Sequence, residues 1–415
     1  MRSMSMIHIK DDKFSYRFML RLICFYYVFT QIISVLRATS IYNTSYIANV
    51  LRAGISGLFI ILFLLNVNYK RYKFGLEDII YFGIPVLAIP YGLLHNQFGR
   101  DFLSDFFTAI SFAVIFNYYK HMPPEIKGFN LSYLAHFELW GTFVSLVIYK
   151  LFPLFGIPIR SVGNVSNFLL FPLAYFLAYG NKLWILSVAL IFLGGKRGVM
   201  LSAIALICFF YITDKRDKLK TAFVIISAVS MVALLLFFTS TPERISALPS
   251  SFQRVGSRFM KVNPFSEYRD WYSDGRLDEI LGAIRQFDGS SLNLLFGKGN
   301  GFVYTVYHNG LVRFSNRHNV HFTPVAFLTR YGLIYTLVFY RGLISCLVFG
   351  IKYLKKNKEH RFVMCLLLYL FGTFVDQFTA FLPYADYQFM MCFGFLRGLF
   401  HSGRRVNHEE LYERT

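Results

Sequence analysis

The chain has 415 residues, a formal net charge of +20 and 55% hydrophobic residues, and its mean hydropathy is +0.45. Apolar stretches of about 20 residues recur along the whole chain, and a stretch of that length spans the ~30 Å of hydrocarbon in a bilayer. A soluble fold could not bury this much apolar surface. Composition therefore excludes a soluble protein and predicts a polytopic membrane protein.

The first predicted spans occupy the part of the chain before residue 240. The first contains Arg17 and Arg21 near its inner end and lacks a small-residue cleavage site, so we expect a signal anchor. Two later spans, 183–194 and 198–212, are short and are consistent with half-spans around the polar break "GGKRG". The predicted spans in this part are 14–36, 47–66, 76–94, 102–119, 131–152, 166–180, 183–194, 198–212 and 221–239.

A long polar segment then separates these spans from the final ones. The first span after it, 322–351, is longer than a bilayer requires and is expected to tilt or to begin outside the bilayer. The expected fold is an all-α polytopic membrane protein with about 12 transmembrane helices and a large periplasmic loop that contains amphipathic helices. The last spans are predicted at 322–351, 362–381 and 385–400. The chain thus divides into 1–239, 240–321, 322–401 and the tail 402–415.

Lysine and arginine residues predict the orientation of the spans. Basic clusters occur at 69–73, 214–220 and 352–361 and in the C-terminal tail, whereas the loops on the other side carry almost no positive charge. Because cytoplasmic connections are enriched in basic residues, both termini are predicted to be cytoplasmic. Much of the net charge is explained in this way, and no nucleic-acid partner is needed to account for it. All five cysteines fall within predicted spans and are expected to be buried apolar residues.

The segment 240–321 is far longer than an ordinary connection, and long loops of this kind are usually functional. Within it, "SDGRLDEILGAIRQF" has apolar residues at helical spacing and predicts an amphipathic helix near the membrane surface. The sequence "FGKGNGF" predicts a glycine-broken turn. Basic residues outnumber acidic residues in this segment. That excess fits either an anionic ligand at the outer face or a solvated loop with internal ion pairs.

Three groups of polar residues carry the candidate chemistry. Lys196 and Arg197 lie in "GGKRG" at a membrane edge, where a charge is costly unless it has a partner. Arg276 opens the amphipathic helix, whose N-terminus attracts anions. Finally, "RHN" places Arg317, His318 and Asn319 directly before the span 322–351.

The order of these motifs resembles the O-antigen polymerase and O-antigen ligase superfamily of bacterial inner-membrane glycosyltransferases. The shared features are a basic residue at a membrane break, "SDGR" opening a loop helix, "GKG", and then "HN" leading into a span. Asp376 in "GTFVDQF" stands where the ligase branch carries an acidic residue. This sequence departs from the family pattern in having Lys196 before the break arginine. It also has Thr323, Thr329 and Arg330 where an acidic residue or glutamine often follows "HN".

The resemblance implies a GT-C-like fold and a metal-independent inverting glycosyltransferase without cofactors, acting at the periplasmic face. The donor would be an oligosaccharide on undecaprenyl diphosphate, and membrane lipid and a chain-length regulator protein would be further partners. His318 would be the general base and Asn319 would orient it. Guanidinium groups match phosphate oxygens. The implied substrate-binding residues are Lys196, Arg197, Arg276, Arg317 and Asp376.

Several alternatives stay open at this point. His321 and His308 are rival bases. A ligase that transfers the finished glycan to the lipid A core needs the same donor site as a polymerase. The long basic loop favours the polymerase, because it has room for two diphosphate-linked glycans. A lipid-linked oligosaccharide flippase is a further alternative, but it would place its charged residues within both halves of the membrane domain and not in one outer loop. A membrane acyltransferase would use its donor at the cytoplasmic side, and the predicted outward position of "RHN" counts against it.

Overall fold

A computed structural model describes most of the membrane-embedded part of the chain. It covers residues 12–38, 75–121, 131–155, 168–214, 237–247, 276–308, 311–357, 360–379 and 383–402, apart from the single residues 97, 195, 288 and 319, together with isolated positions within 54–61 and 230–266. The predicted spans 47–66 and 221–239 lie largely outside the described residues. A total of twelve spans therefore remains a prediction.

The described part of the chain is mainly helical, as the apolar composition predicts. Four of its helices are long and apolar enough to cross a membrane, namely Leu76–His95, Asp101–Lys120, Leu131–Tyr149 and Thr323–Lys356. In chain order the larger helices are α1 Asp12–Ala38, α2 Leu76–His95, α3 Arg100–Lys120, α4 Leu131–Leu151, α5 Leu170–Tyr179, α6 Leu183–Gly194 and α7 Arg197–Asp214. They are followed by α8 Pro242–Ser246, α9 Arg276–Arg285, α10 Ser291–Phe296, α11 Thr323–Lys356, α12 Arg361–Asp376 and α13 Tyr387–Ser402.

The expectation of an all-helical chain is wrong at one place. Strands β1 Tyr304–His308 and β2 Leu311–Arg317 pair as an antiparallel hairpin within the segment that was expected to contain only helices and turns. The two strand sequences, "YTVYH" and "LVRFSNR", contain several aromatic and β-branched residues, and these favour strands over helices. Helix α9 packs closely against this hairpin at Gly282. A side chain at Gly282 would lie only 2.5 Å from the carbonyl oxygen of Thr305 in β1.

The core of the bundle is built from close helix packing and from aromatic rings. Helix α13 lies against α3, and side chains at Gly394 and Gly398 would overlap carbonyl oxygens of α3. Small residues allow this approach, which is how membrane helices gain dispersion contacts without a hydrophobic driving force. Phe112 of α3 and Phe393 of α13 both pack against Phe339 of α11. Helices α3, α11 and α13 therefore form one packed unit.

Ion pairs join three helices at the end of the bundle opposite to the hairpin. Lys120 at the end of α3 lies 2.6 Å from Asp78 of α2. Arg397 of α13 donates to Glu77 of α2 at 2.8 Å. These side chains are largely buried, so each pair needs both partners to offset the loss of hydration. Together they fix the register of α2 relative to α3 and α13.

Candidate functional site

Helix α11 is broken at Gly332, which has φ 79° and ψ −179°. This left-handed backbone conformation favours glycine. A side chain at Gly332 would also overlap the carbonyl oxygen of Leu295 in α10. The span that appeared too long in the sequence thus consists of two helical parts. Within a membrane such a break requires other groups to satisfy the freed backbone atoms.

A glycine-rich segment, residues 297–301 (the glycine loop), supplies those groups. The amide of Lys298 donates to the carbonyl oxygen of Thr329 at 2.7 Å, and the amide of Gly299 donates to that of Arg330 at 3.0 Å. Both carbonyls belong to the last turn before the break. The turn predicted from "FGKGNGF" is therefore present, and its backbone completes the hydrogen bonding of α11.

The glycine loop also packs against α2. The amide of Asn300 donates to the carbonyl oxygen of Ala88 at 3.2 Å. Asn96 donates from its side-chain amide to the carbonyl oxygens of Lys298 at 2.8 Å and Asn300 at 2.9 Å. Although this segment belongs to the long polar connection 240–321, it lies between two membrane helices.

Asp105 of α3 is the centre of a buried polar cluster beside the break. Its Oδ2 accepts hydrogen bonds from Arg330 Nε at 3.1 Å and from the amide of Gly301 at 2.9 Å. Its Oδ1 lies 3.2 Å from His318 Nε2. Arg330 also donates through Nη2 to the carbonyl oxygen of His318 at 2.6 Å. We refer to Asp105, His318 and Arg330 as the Asp105 cluster.

The two ring nitrogens of His318 have different partners. Nδ1 lies 2.9 Å from the carbonyl oxygen of Phe302, and because a carbonyl only accepts, Nδ1 carries a hydrogen. Nε2 faces Asp105 and lies 3.4 Å from Arg330 Nη2. The side chain is 13% exposed. A carboxylate therefore lies directly beside Nε2, the ring nitrogen that the carbonyl of Phe302 does not contact.

His321 forms a second histidine–carboxylate pair near the beginning of α11. Its Nδ1 lies 2.8 Å from Oε2 of Glu279, and the histidine side chain is 43% exposed. Glu279 lies one turn after Arg276 in α9. This contact attaches the N-terminal turn of α9 to the beginning of α11.

Helices α7 and α12 meet at the same end of the bundle. A side chain at Gly198 would lie 2.6 Å from Asp376 Oδ1, so the first turn of α7 touches the last residue of α12. Asp376 is fully buried and accepts a short hydrogen bond from the hydroxyl of Thr379. The amide of Thr323 donates to the carbonyl oxygen of Gln377 at 3.0 Å, which joins α11 to α12.

The structure places several of the predicted site residues at one end of the bundle. Lys196 and Arg197 are half-buried at the start of α7, next to Gly198, and thus lie at the same end of the bundle as Asp376 and His318. Arg317 is exposed at the end of β2, with its guanidinium stacked 4.2 Å from the ring centre of Phe314.

Other predicted side chains lie outside the described residues. Arg276 is the first residue of α9, but its side chain is not described. Asn319 and the side chain of the rival base His308 also fall outside.

Asp105, Arg330 and Glu279 were not assigned to the site from the sequence. Asp105 and Arg330 fall within predicted spans, where an ionisable residue is a functional candidate by default. That signal was available for both residues. Glu279 has no comparable signal, because an acidic residue on the polar face of an amphipathic helix is ordinary. No protein-family model, curated protein sequence or solved structure matches the chain.

Proposed function

We propose that this membrane protein is a polysaccharide polymerase. It joins repeat units carried on undecaprenyl diphosphate at the periplasmic face of a bacterial inner membrane, with both termini in the cytoplasm. The observation that carries the proposal is the Asp105 cluster: a histidine, a carboxylate and an arginine meet at a broken membrane helix. The sequence resemblance to O-antigen polymerases supplies the substrate class.

The proposed reaction is an inverting transfer. The acceptor hydroxyl oxygen attacks the anomeric carbon of the donor sugar and forms the new glycosidic bond. The proton of that hydroxyl passes to Nε2 of His318. The bond between the anomeric carbon and the diphosphate breaks, and its electron pair leaves with the diphosphate. Asp105, at 3.2 Å from Nε2, stabilises the protonated imidazole that results.

The leaving diphosphate requires positive charge, and several basic residues are candidates to supply it. Lys196 and Arg197 are at the start of α7, and Arg276 begins α9. Arg317 at the end of β2 is a further candidate. Guanidinium groups bind phosphate oxygens with two parallel hydrogen bonds and remain charged at every physiological pH. Asp376 and Asn319 are proposed to position the sugar and the imidazole.

His321 is the second candidate for the base, and a specific observation favours it. Glu279 binds its Nδ1, and the ring is more exposed than that of His318. A carboxylate that orients a histidine is a common arrangement for a general base. We favour His318 because its buried surroundings strengthen electrostatic interactions with developing charge.

Mass spectrometry of lipid-linked glycans from a deletion strain tests the proposed function. A polymerase deletion is expected to accumulate unextended single repeat units on the carrier at the periplasmic face. Long carrier-linked chains that fail to reach the lipid A core would instead assign the protein as a ligase. Single repeats retained at the cytoplasmic face would indicate a flippase. Either of the last two results contradicts the polymerase.

Chelation is expected to leave the purified activity unchanged. Within the part of the chain that the structure describes, no three His, Cys, Asp or Glu side chains are placed to hold a metal ion together. We therefore expect transfer at the same rate with and without EDTA, measured on lipid-linked substrate in proteoliposomes. Loss of activity that a divalent ion restores would contradict a metal-independent reaction.

Replacement of the proposed diphosphate-binding arginines by lysine is expected to weaken donor binding at every ionic strength. Lysine retains the charge but loses the two-pronged hydrogen bonding. For Arg197→Lys and Arg276→Lys we expect an affinity loss of about tenfold or more, since hydrogen bonds to charged groups contribute about 1.5–3 kcal/mol. Donor binding and turnover should be measured across a series of salt concentrations.

Arg285→Lys is the matched control, because Arg285 is exposed at the far end of the same helix α9. It is expected to behave like the wild type. If the variants at 197 and 276 also behave like the wild type, these arginines do not bind the diphosphate. A mild defect, with donor binding that weakens further as the salt concentration is raised, would assign them to long-range attraction.

A further inference from the structure

Glu138 lies within helix α4, one of the helices long and apolar enough to cross a membrane. Its exposure is 0%. Neither carboxylate oxygen accepts a hydrogen bond from any residue that the structure describes. An ionised carboxylate without a partner loses several kcal/mol of hydration when it is buried. This side chain is therefore either protonated or bound to a cation.

A second buried acid near Glu138, Asp386, differs from it in having several hydrogen-bond donors. Asp386 precedes α13, and its carboxylate accepts from the hydroxyl of Tyr369 at 2.6 Å. It also accepts from the amides of Gln388 at 2.9 Å and Phe389 at 3.0 Å, as an N-terminal helix cap does. Asp386 thus has three donors that favour its ionised form, whereas Glu138 has none among the described residues. Of two neighbouring carboxyl groups, the one without donors holds a proton more firmly.

The other titratable groups around Glu138 carry no positive charge. Those that interact electrostatically with it lie on α1, on α12, on α13 and just before α13. They are Cys24 and Tyr27 of α1, Tyr369 of α12, Cys392 of α13, and Asp386. All are acids or neutral groups at physiological pH. No lysine, arginine or histidine of the described residues is among them. Ionisation of Glu138 would thus place a second negative charge near Asp386 without compensation.

The same region has an excess of hydrogen-bond acceptors. Among the described residues, no donor reaches the side-chain oxygens of Gln31 and Gln388, which are only 4% and 2% exposed. Gln31 donates to the hydroxyl of Tyr27 at 3.0 Å, and Tyr27 donates to the backbone carbonyl of Glu138 at 2.9 Å. Gln31 is therefore linked through Tyr27 to the backbone of α4 at Glu138. A protonated carboxyl would add a hydrogen-bond donor to this acceptor-rich region.

We propose that Glu138 is a proton-binding site within the membrane bundle, occupied at neutral pH. The proton makes the side chain neutral and able to donate a hydrogen bond. Release of that proton would leave two negative charges between α1, α4, α12 and α13 and would loosen their packing. Tyr369 lies two turns before Asp376 on α12, so this site is roughly 10 Å along the helix from the proposed transfer site. It stands independently of the proposed reaction.

Reaction with dicyclohexylcarbodiimide tests the proposal on the full chain, because this apolar reagent modifies protonated carboxyl groups. The protein is reconstituted in phosphatidylethanolamine and phosphatidylglycerol vesicles, treated between about pH 5 and 7, and mapped by mass spectrometry. We expect Glu138 to react at nearly the same rate throughout. An ordinary exposed glutamate should lose reactivity roughly 100-fold, since its pKa is about 4.3. Glu243, which is exposed in α8, is the control.

Two further measurements distinguish a bound proton from a bound cation and confirm that the label is on Glu138. Labelling of Glu138 should be insensitive to Na⁺ and K⁺, and protection by either ion would overturn the proposal in favour of a cation site. Absence of label at Glu138, or a decline that parallels Glu243, would overturn it as well. Glu138→Gln should remove the label. If this variant does not fold, the labelling of the wild type decides alone.

Discussion

Gly332→Ala is expected to destabilise the membrane bundle by about 3 kcal/mol or more. Gly332 has φ 79°, a conformation that costs other residues roughly 1–3 kcal/mol. The new side chain would also overlap the carbonyl oxygen of Leu295, and overpacking typically costs another 1–3 kcal/mol. Relief would require α10 to move away from α11. Thermal unfolding of the purified protein in detergent, followed by tryptophan fluorescence, measures the effect.

Gly180→Ala is the control for a positive φ without the overlap. Gly180 has φ 70° and ψ 21°, and a side chain there would have no atom within 4 Å. Its αL conformation strains alanine less than the conformation of Gly332, whose ψ is −179°. We expect it to unfold at a distinctly higher temperature than Gly332→Ala. Equal unfolding temperatures would show that the contact between α10 and the break in α11 does not stabilise the bundle.

His318→Gln is expected to reduce glycan transfer by about 10²–10⁴-fold, the usual contribution of a general base. Glutamine retains a side-chain amide that can donate to the carbonyl oxygen of Phe302, now 2.9 Å from Nδ1. It cannot accept a proton, which the proposed general base has to do. The variant should therefore remain folded and bind donor while turnover falls. Purified variant and wild type are compared with lipid-linked repeat units as substrate.

Equal thermal stability of the two proteins is the control for His318→Gln. A loss of stability that accounts for the lost activity would assign the residue to structure. Near-normal transfer by a folded variant would remove His318 from the reaction and transfer the role to His321 or His308.

The membrane helices were predictable from the sequence because their signal is local. The spans placed at 76–94 and 131–152 correspond to α2 Leu76–His95 and α4 Leu131–Leu151. The break in α11 was not predictable. The span was visibly too long, but the conformation of Gly332 depends on α10, which approaches it from elsewhere in the chain. A single sequence carries no record of that contact.

The hairpin was missed although a local signal existed. Asn309 and Gly310 stand between its two strands in the sequence, and this dipeptide flanked by apolar and aromatic residues is typical of a two-residue hairpin turn. For the segment 240–321 the sequence analysis predicted an amphipathic helix and a glycine-broken turn, and this dipeptide was not used. Membrane composition says nothing about a segment outside the spans.

The candidate site was predicted in part. His318, Arg197 and Asp376 belong to segments that the structure brings to one end of the bundle. Asp105 and Arg330 could be singled out as ionisable residues within spans, but their pairing could not be predicted. They are 225 positions apart, and the pairing depends on how α3 packs against α11. Sequence periodicity identifies the face of a helix but not the residue that a neighbouring helix places opposite it.

The most direct measurement compares the two histidine–carboxylate pairs in the same purified transfer assay. His318→Gln is set against His321→Gln and Glu279→Gln, with the mass of the lipid-linked product as readout. If proton transfer passes through the Asp105 cluster, His318→Gln loses about 10²–10⁴-fold in turnover, while both variants of the exposed pair retain most activity. The opposite pattern, with His321→Gln and Glu279→Gln inactive and His318→Gln active, would contradict the assignment of the reaction to the broken helix.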